Sequence, residues 1–228
     1  RVAIGAPRNN LGGYTFGADA YGFDGRTKIY EFNGTSWIQL GQDIDGEAGN
    51  DESGSSISLS ADGTRVAIGA NKNDGNGDRS GHVRIYEFNE TSWVQLGVDI
   101  DGEAASDQSG WSVSLNANGT RVAIGAPEND SDFGPNQEEP YGSTNGHTRI
   151  YEFAEGSWVQ LGADIDGDAF AKSGYSVSLS ADGTRVAIGS PTWGTTTDHA
   201  QYNVGRTTIY EFNETSWVKL GADIDGRE

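Results

Sequence analysis

Four times the chain writes one phrase: RVAIGAP at Arg1, RVAIGAN at Arg65, RVAIGAP at Arg121 and RVAIGSP at Arg185. Other phrases keep step with it. IYEF begins at Ile29, Ile85, Ile150 and Ile209, and SWIQLG or a near copy at Ser36, Ser92, Ser157 and Ser216. DIDG begins at Asp43, Asp99, Asp164 and Asp223, at spacings of 56, 65 and 59 residues. A repeat of this kind restricts the fold more than any other feature. Each copy is one small supersecondary unit that cannot bury its apolar surface alone and must pack on its neighbours.

Every phrase reads as a strand. SISLS, SVSLN and SVSLS alternate small polar with apolar residues, a period of two. RVAIG puts Val and Ile on one face and Ala and Gly on the other. In HVRIYEF, Val83 and Ile85 share a face, while Arg84, Tyr86 and Phe88 share the opposite one. In WVQLG, Val94 and Leu96 oppose Trp93 and Gln95. ADGT or ANGT links the first strand to the second, and NGTS or NETS the third to the fourth. Glycine is frequent (34 residues) and proline scarce (5), which suits many tight turns, and no stretch keeps a helical period.

Each unit is therefore predicted to be a four-stranded antiparallel meander whose outer strands carry bulky groups on both faces. Radial stacking buries both faces, and that arrangement is an all-β propeller. Solenoid units are usually shorter, about 20–45 residues. The predicted units are 1–52, 53–108, 109–172 and 173–228 of one array. The SVSLS strand occurs only three times, at Ser56, Ser112 and Ser176, so the first blade is predicted to lack its inner strand. The expectation is a segment of a longer array, or a neighbouring chain that supplies the strand, because an exposed strand edge is a pairing hazard.

Acidic residues number 34 against 15 basic ones, a net charge of −19. Such a chain repels nucleic acid and anionic membranes, and leaves cations, basic proteins and neutral glycans as partners. No apolar run is long enough to span a bilayer. With no cysteine there is neither a disulfide framework nor thiol chemistry.

The run SGWSVSLNANGTRVAIGAPEND…GHTRIYEF resembles the FG-GAP repeat of integrin-α-type β-propellers. Gly5-Ala6-Pro7 and Gly125-Ala126-Pro127 match its Gly-Ala-Pro signature; Gly69-Ala70-Asn71 and Gly189-Ser190-Pro191 come near it. Ser53-Gly54, Ser109-Gly110 and Ser173-Gly174 stand where the family has Phe-Gly. The resemblance implies extracellular binding, adhesion or scaffolding. Its usual calcium loop between the first two strands is not carried over, because only Asp62 or Asp182 is present there and calcium takes six to eight oxygens.

Three groups of candidate site residues follow. The DIDGE segments carry Asp43, Asp45 and Glu47; Asp99, Asp101 and Glu103; and Asp164, Asp166 and Asp168, readable as part of a calcium (Ca2+) site or as inter-blade turns with Asp capping amides. NKNDGNGD adds Asn71, Asn73, Asp74 and Asp78, a second calcium loop or a plain turn. The loops 7–25, 71–81, 127–146 and 191–205 carry Tyr14, Phe16, Tyr21, Phe23, Phe133, Tyr141, Trp193 and Tyr202, which either stack on a sugar or protein ligand or pack down on the blades. Sequons place candidate glycans on Asn33, Asn89, Asn118, Asn129 and Asn213, where turn chemistry also favours asparagine.

Catalytic signals are weak. His82 and His147 share one repeat position, which favours a structural role, and His199 stands apart. Arg1, Arg65, Arg121 and Arg185 against Glu31, Glu87, Glu152 and Glu211 read as cross-strand ion pairs. The expected function is a non-catalytic extracellular or cell-surface propeller, acting in adhesion or as a structural subunit of a homo-oligomer or larger assembly. The alternatives are a glycan-binding lectin propeller and the propeller part of a hydrolase.

Overall fold

The computed structural model describes residues 1–10, 23–130, 144–192 and 204–226. They form four antiparallel sheets, one per repeat, and among them there is no helix. Blade 1 comprises Val2–Ala6, Arg26–Phe32, Trp37–Gln39 and Ile44–Asp45. Blade 2 comprises Ser56–Leu59, Arg65–Ala70, His82–Phe88, Trp93–Gln95 and Ile100–Asp101. Blade 3 follows with Ser112–Leu115, Arg121–Ala126, His147–Ala154, Ser157–Gln160 and Ile165–Asp166. Blade 4 has Ser176–Leu179, Arg185–Ser190, Arg206–Phe212, Trp217–Lys219 and Ile224–Asp225. Among the described residues blade 1 shows no inner strand, in line with the count of SVSLS copies.

The inner strands of successive blades lie side by side, so the sheets stack face to face as the blades of a β-propeller. Apolar burial is concentrated in the three seams. Ile29 and Ile44 of blade 1 meet Val66, Ile68, Tyr86 and Trp93 of blade 2. Val83, Ile85 and Ile100 on the other face of blade 2 meet Leu115, Val122, Ile124 and Tyr151 of blade 3. Ile150 and Ile165 of blade 3 meet Val186 and Ile188 of blade 4, with Tyr210 and Trp217 alongside. The two faces predicted for HVRIYEF thus enter two different seams. Each fully buried Ile or Val contributes about 1.5–3 kcal/mol through removal of its surface from water.

Polar contacts repeat in the same seams. Trp93 Nε1 donates to Leu40 O, Trp158 Nε1 to Leu96 O and Trp217 Nε1 to Leu161 O, at 2.8, 2.8 and 2.7 Å. The inner-strand serines also cross the seams. Ser56 Oγ donates to Gly110 O (2.7 Å), and Ser58 Oγ accepts from Leu115 N (2.9 Å). The Gly-Ala-Pro and Ser-Gly signatures turn out to be two halves of one contact. A Cβ on Gly69 would lie 2.1 Å from Gly110 O of the next blade, and one on Gly125 would collide with Gly174 O.

One expectation is corrected. DIDG is not simply a linker: its Ile-Asp pair is strand, bonded to the start of the third strand. His82 opposes Asp101 and Val83 opposes Ile100, while Tyr86 to Phe88 pair with Trp93 to Gln95. The outer strand is broken into Trp93–Gln95 and Ile100–Asp101, and in the jog at 96–99 between them Gly97 takes φ 79°. The Asp-Gly that follows makes the turn toward the next blade.

Candidate functional site: the acidic seams

The third strand opens with Arg26, His82, His147 and Arg206 in blades 1 to 4. Each faces the second strand on one side and the second Asp of DIDG on the other. In blades 1 and 4 the arginine binds that acidic segment directly. Arg26 Nε lies 2.7 Å from Asp45 and its Nη1 2.9 Å from Asp43. Arg206 lies 2.9 Å from Asp225, 3.0 Å from Asp223 and 3.4 Å from Asp168 of the preceding blade.

In blades 2 and 3 a histidine takes the place of that arginine, and the preceding blade again sends a carboxylate across. Glu47, His82 and Asp99 form one group and Glu103, His147 and Asp164 the other, with ligating atoms in each within 4.8 Å of one another. His82 Nδ1 is 3.6 Å from Asp99 Oδ2. His147 Nδ1 is 3.8 Å from both Glu103 Oε2 and Asp164 Oδ2. The rings are 2 % and 1 % exposed, and His147 Nε2 has no hydrogen-bond partner.

Neighbouring groups orient the carboxylates. Gln95 and Gln160 donate through Nε2 to Oδ1 of Asp99 and Asp164. Arg84 Nη1 lies 3.0 Å from Glu47 Oε1, and Arg149 Nη1 3.4 Å from Glu103 Oε1. Burial, helped by Arg84 and Arg149 and opposed by Asp99 and Asp164, pushes both imidazoles down to about 4, so they are neutral near pH 7. Burial also raises the Glu103 carboxyl.

The other expected ligands are placed differently. The three carboxylates of one DIDGE copy do not converge: Asp43 and Asp45 bind Arg26, and Glu47 turns to blade 2. Asp101 lies on the outer strand beyond its own seam group, and Asp166 holds the same position in blade 3. Asn73 is buried, with Nδ2 donating to Asp51 (2.9 Å) and Oδ1 accepting from Gly75 N. Asp74 accepts from Arg79 N, and Asp74 and Asp78 line a rim hollow with Arg8, Lys72 and Arg79. Asp62 and Asp182 accept from the Thr64 and Thr184 amides in their turns. Hydrogen bonds from Ser180 and then Thr184 hold Asp182 at about 2.

Asn33, Asn89 and Asn213 are exposed, and Oδ1 of each caps two turn amides. Asn118 caps the Thr120 amide, and Asn129 is buried, at 6 % exposure. Tyr14, Phe16, Tyr21, Phe133, Tyr141, Trp193 and Tyr202, with His199, lie outside the described residues. The repeated Arg and Glu residues pair as expected, at 3.0, 2.9, 2.9 and 2.9 Å in blades 1 to 4.

Sequence reasoning missed the pairing of His82 and His147 with Glu47, Asp99, Glu103 and Asp164. A signal was there: one repeat position holds arginine in blades 1 and 4 and histidine in blades 2 and 3, always beside DIDG.

Fold and seams together define the class: an all-β propeller array of repeated blades joined by polar and apolar seams. No protein-family model matches the chain, and no curated protein does. Among solved structures 152 chains match. One is Kuenenia stuttgartiensis hydrazine synthase, 15 % identical with a TM-score of 0.49, over 82 % of this chain and 45 % of that one. This chain therefore spans less than half of that protein chain, and a likeness at this level bears on neither chemistry nor partner. Among the described residues no helix is long and apolar enough to cross a membrane.

Proposed function

We propose that the chain is a non-catalytic β-propeller array acting in adhesion or as a structural subunit, and that the outward faces of blades 1 and 4 pack on blades of the same kind. One observation carries this reading: the outward faces of blades 1 and 4 carry the same residue types that fill the three seams. Blade 1 offers Trp37, Phe32 and Ile4, which are 54 %, 51 % and 53 % exposed. Their counterparts in blade 2, Trp93 and Ile68, are 4 % and 2 % exposed. Blade 4 offers Ile224 at 58 %, against 5 % for Ile44, Ile100 and Ile165.

The polar halves match as well. Arg1, Arg65 and Arg121 each lie over a Phe of the next blade, at 5.8, 5.9 and 5.7 Å, and donate to a turn carbonyl there. Arg185 has a side chain 58 % exposed and makes only the pair with its own Glu211. A blade of this repeat placed against blade 4 would set its Phe under Arg185 and its Trp against Leu220 O. Such a contact is heterologous, so it builds closed rings or open arrays.

Sedimentation equilibrium across a wide concentration range tests the reading. Association is expected, and it should strengthen with added salt because a net charge of −19 opposes it. Ile224→Asp and Trp37→Ala, both at exposed positions, should give monomers. A wild-type chain that stays monomeric at every concentration and salt overturns the proposal. The FG-GAP resemblance of the Gly-Ala-Pro and Ser-Gly positions supports placing this assembly outside the cell, in an adhesive or scaffolding role, with protein partners met through the rim loops.

A further inference from the structure

We propose that the seams between blades 1 and 2 and between blades 2 and 3 each bind a divalent transition-metal ion of the zinc type. The ligands are His82 Nδ1, Glu47 and Asp99 in one, and His147 Nδ1, Glu103 and Asp164 in the other. Both groups bridge two blades, so the ion would clamp the seam.

Three observations converge on this. The first is the spacing. At 3.6 and 3.8 Å the imidazole and carboxylate atoms are too far apart for hydrogen bonds. Two ligands on a tetrahedral zinc, each at roughly 2.0–2.2 Å, stand about 3.3–3.5 Å apart, so a small inward shift completes the site.

The second is the histidine itself. His147 is 1 % exposed, Nε2 has no partner, and Nδ1 points between two carboxylates without bonding either. Buried polar side chains are nearly always bonded, and one that is not calls for a ligand. Nε2, on the far side of the ring, would stay unpartnered; the ion would bond Nδ1, the nitrogen that faces the two carboxylates.

The third is a comparison inside the molecule. At the equivalent position of blades 1 and 4 a guanidinium lies 2.7–3.4 Å from the matching carboxylates. The same pocket thus receives a covalently attached cation in two blades and a neutral, metal-ligating ring in the other two. Arg84 and Arg149 do not fill it. They hold the Oε1 atoms of Glu47 and Glu103, and in the second group Oε2 is left facing His147. Gln95 and Gln160 likewise hold Oδ1 of Asp99 and Asp164 and leave Oδ2 facing the rings, the outer-shell arrangement of a metal site. One imidazole and two carboxylates suit zinc, and are too few oxygens for calcium.

The test compares the chelator-treated chain with His82→Arg/His147→Arg, which replaces each ligating ring by the arginine that blades 1 and 4 carry at that position. Calorimetric zinc titration should give two tight ions per wild-type chain, one for either single variant, and only weak surface binding for the double variant. Cobalt should give visible absorption bands in the wild type that the double variant lacks. Asp99→Asn/Asp164→Asn, which keeps both rings, should also lose the bands. Equal zinc binding by wild type and double variant, a cobalt spectrum unchanged by either double variant, or a preference for calcium over zinc would overturn the proposal.

Discussion

Adding one methyl group at Gly69 tests whether the seams hold the array together. In Gly69→Ala the new Cβ would stand 2.1 Å from Gly110 O and 2.3 Å from Ser56 Oγ. Relief of the first contact requires the backbones of blades 2 and 3 to part by about 1 Å, since ordinary carbon–oxygen contact begins near 3.2 Å. Overpacking of this kind costs about 1–3 kcal/mol. The Ser56-to-Gly110 hydrogen bond is lost as well, at about 1 kcal/mol. The sum is roughly 3 kcal/mol, or roughly 10 °C in Tm for a chain of this size. Gly189→Ala is the internal control. Its Cβ meets the side chain of Ser176 at 2.3 Å and no backbone closer than 3.7 Å, and a serine hydroxyl can rotate away. That variant should stay within about 1 kcal/mol of wild type, helped by a less flexible unfolded chain. Chemical denaturation followed by tryptophan fluorescence gives both midpoints and slopes. Equal destabilisation of the two variants would refute the account of Gly-Ala-Pro as a seam contact.

Trp158→Phe removes the donor to Leu96 O and should cost about 1–2 kcal/mol in the same assay, whereas Trp37→Phe, with its indole exposed, should cost less than about 0.5 kcal/mol. Acid should weaken the metal-free chain. His82 and His147 take up protons near pH 6.5 when unfolded and near 4 when folded, so the unfolded chain binds more protons between those values. Stability is therefore complete above 6.5 and falls as pH drops toward 4, by on the order of 2 kcal/mol per histidine between pH 7 and 5. The groups facing the rings are Glu47, Asp99 and Arg84, and Glu103, Asp164 and Arg149. Calorimetric melting of His82→Gln/His147→Gln should show that slope flattened; an unchanged slope would place its origin elsewhere.

The fold was legible because period-two patterning is strong wherever two faces are both buried. Val83 and Ile85 against Tyr86 and Phe88 announced two seams before any coordinates. The Arg-Glu ladder was legible too, since strand register fixes which residues stand opposite. The outer strand was misread at its end: the jog at Leu96–Asp99 breaks the alternation, so Ile100 and Asp101 looked like a linker. Glu47 meeting His82 was hidden for another reason. Those residues sit in different units, and their approach depends on the lateral offset of one blade over the next, which no single repeat encodes.

That offset explains why the repeats differ where they do. In blades 2 and 3 the third strand opens His-x-Arg, and the preceding segment ends in Glu47 or Glu103, long enough to reach both residues. In blade 4 it opens Arg-x-Thr, and the preceding carboxylate is the shorter Asp168, which meets Arg206 at 3.4 Å while Thr208 donates to Asp223 instead. The change of cation in one blade is thus matched by a change of acid in the blade before it. The unit that must stay self-consistent is not the repeat but the seam, made of the end of one copy and the start of the third strand in the next. A lone exchange such as His82→Arg leaves Arg84 in place and puts two guanidinium groups against Glu47 and Asp99. Full transfer of the blade 4 arrangement therefore takes Glu47→Asp and Arg84→Thr along with it.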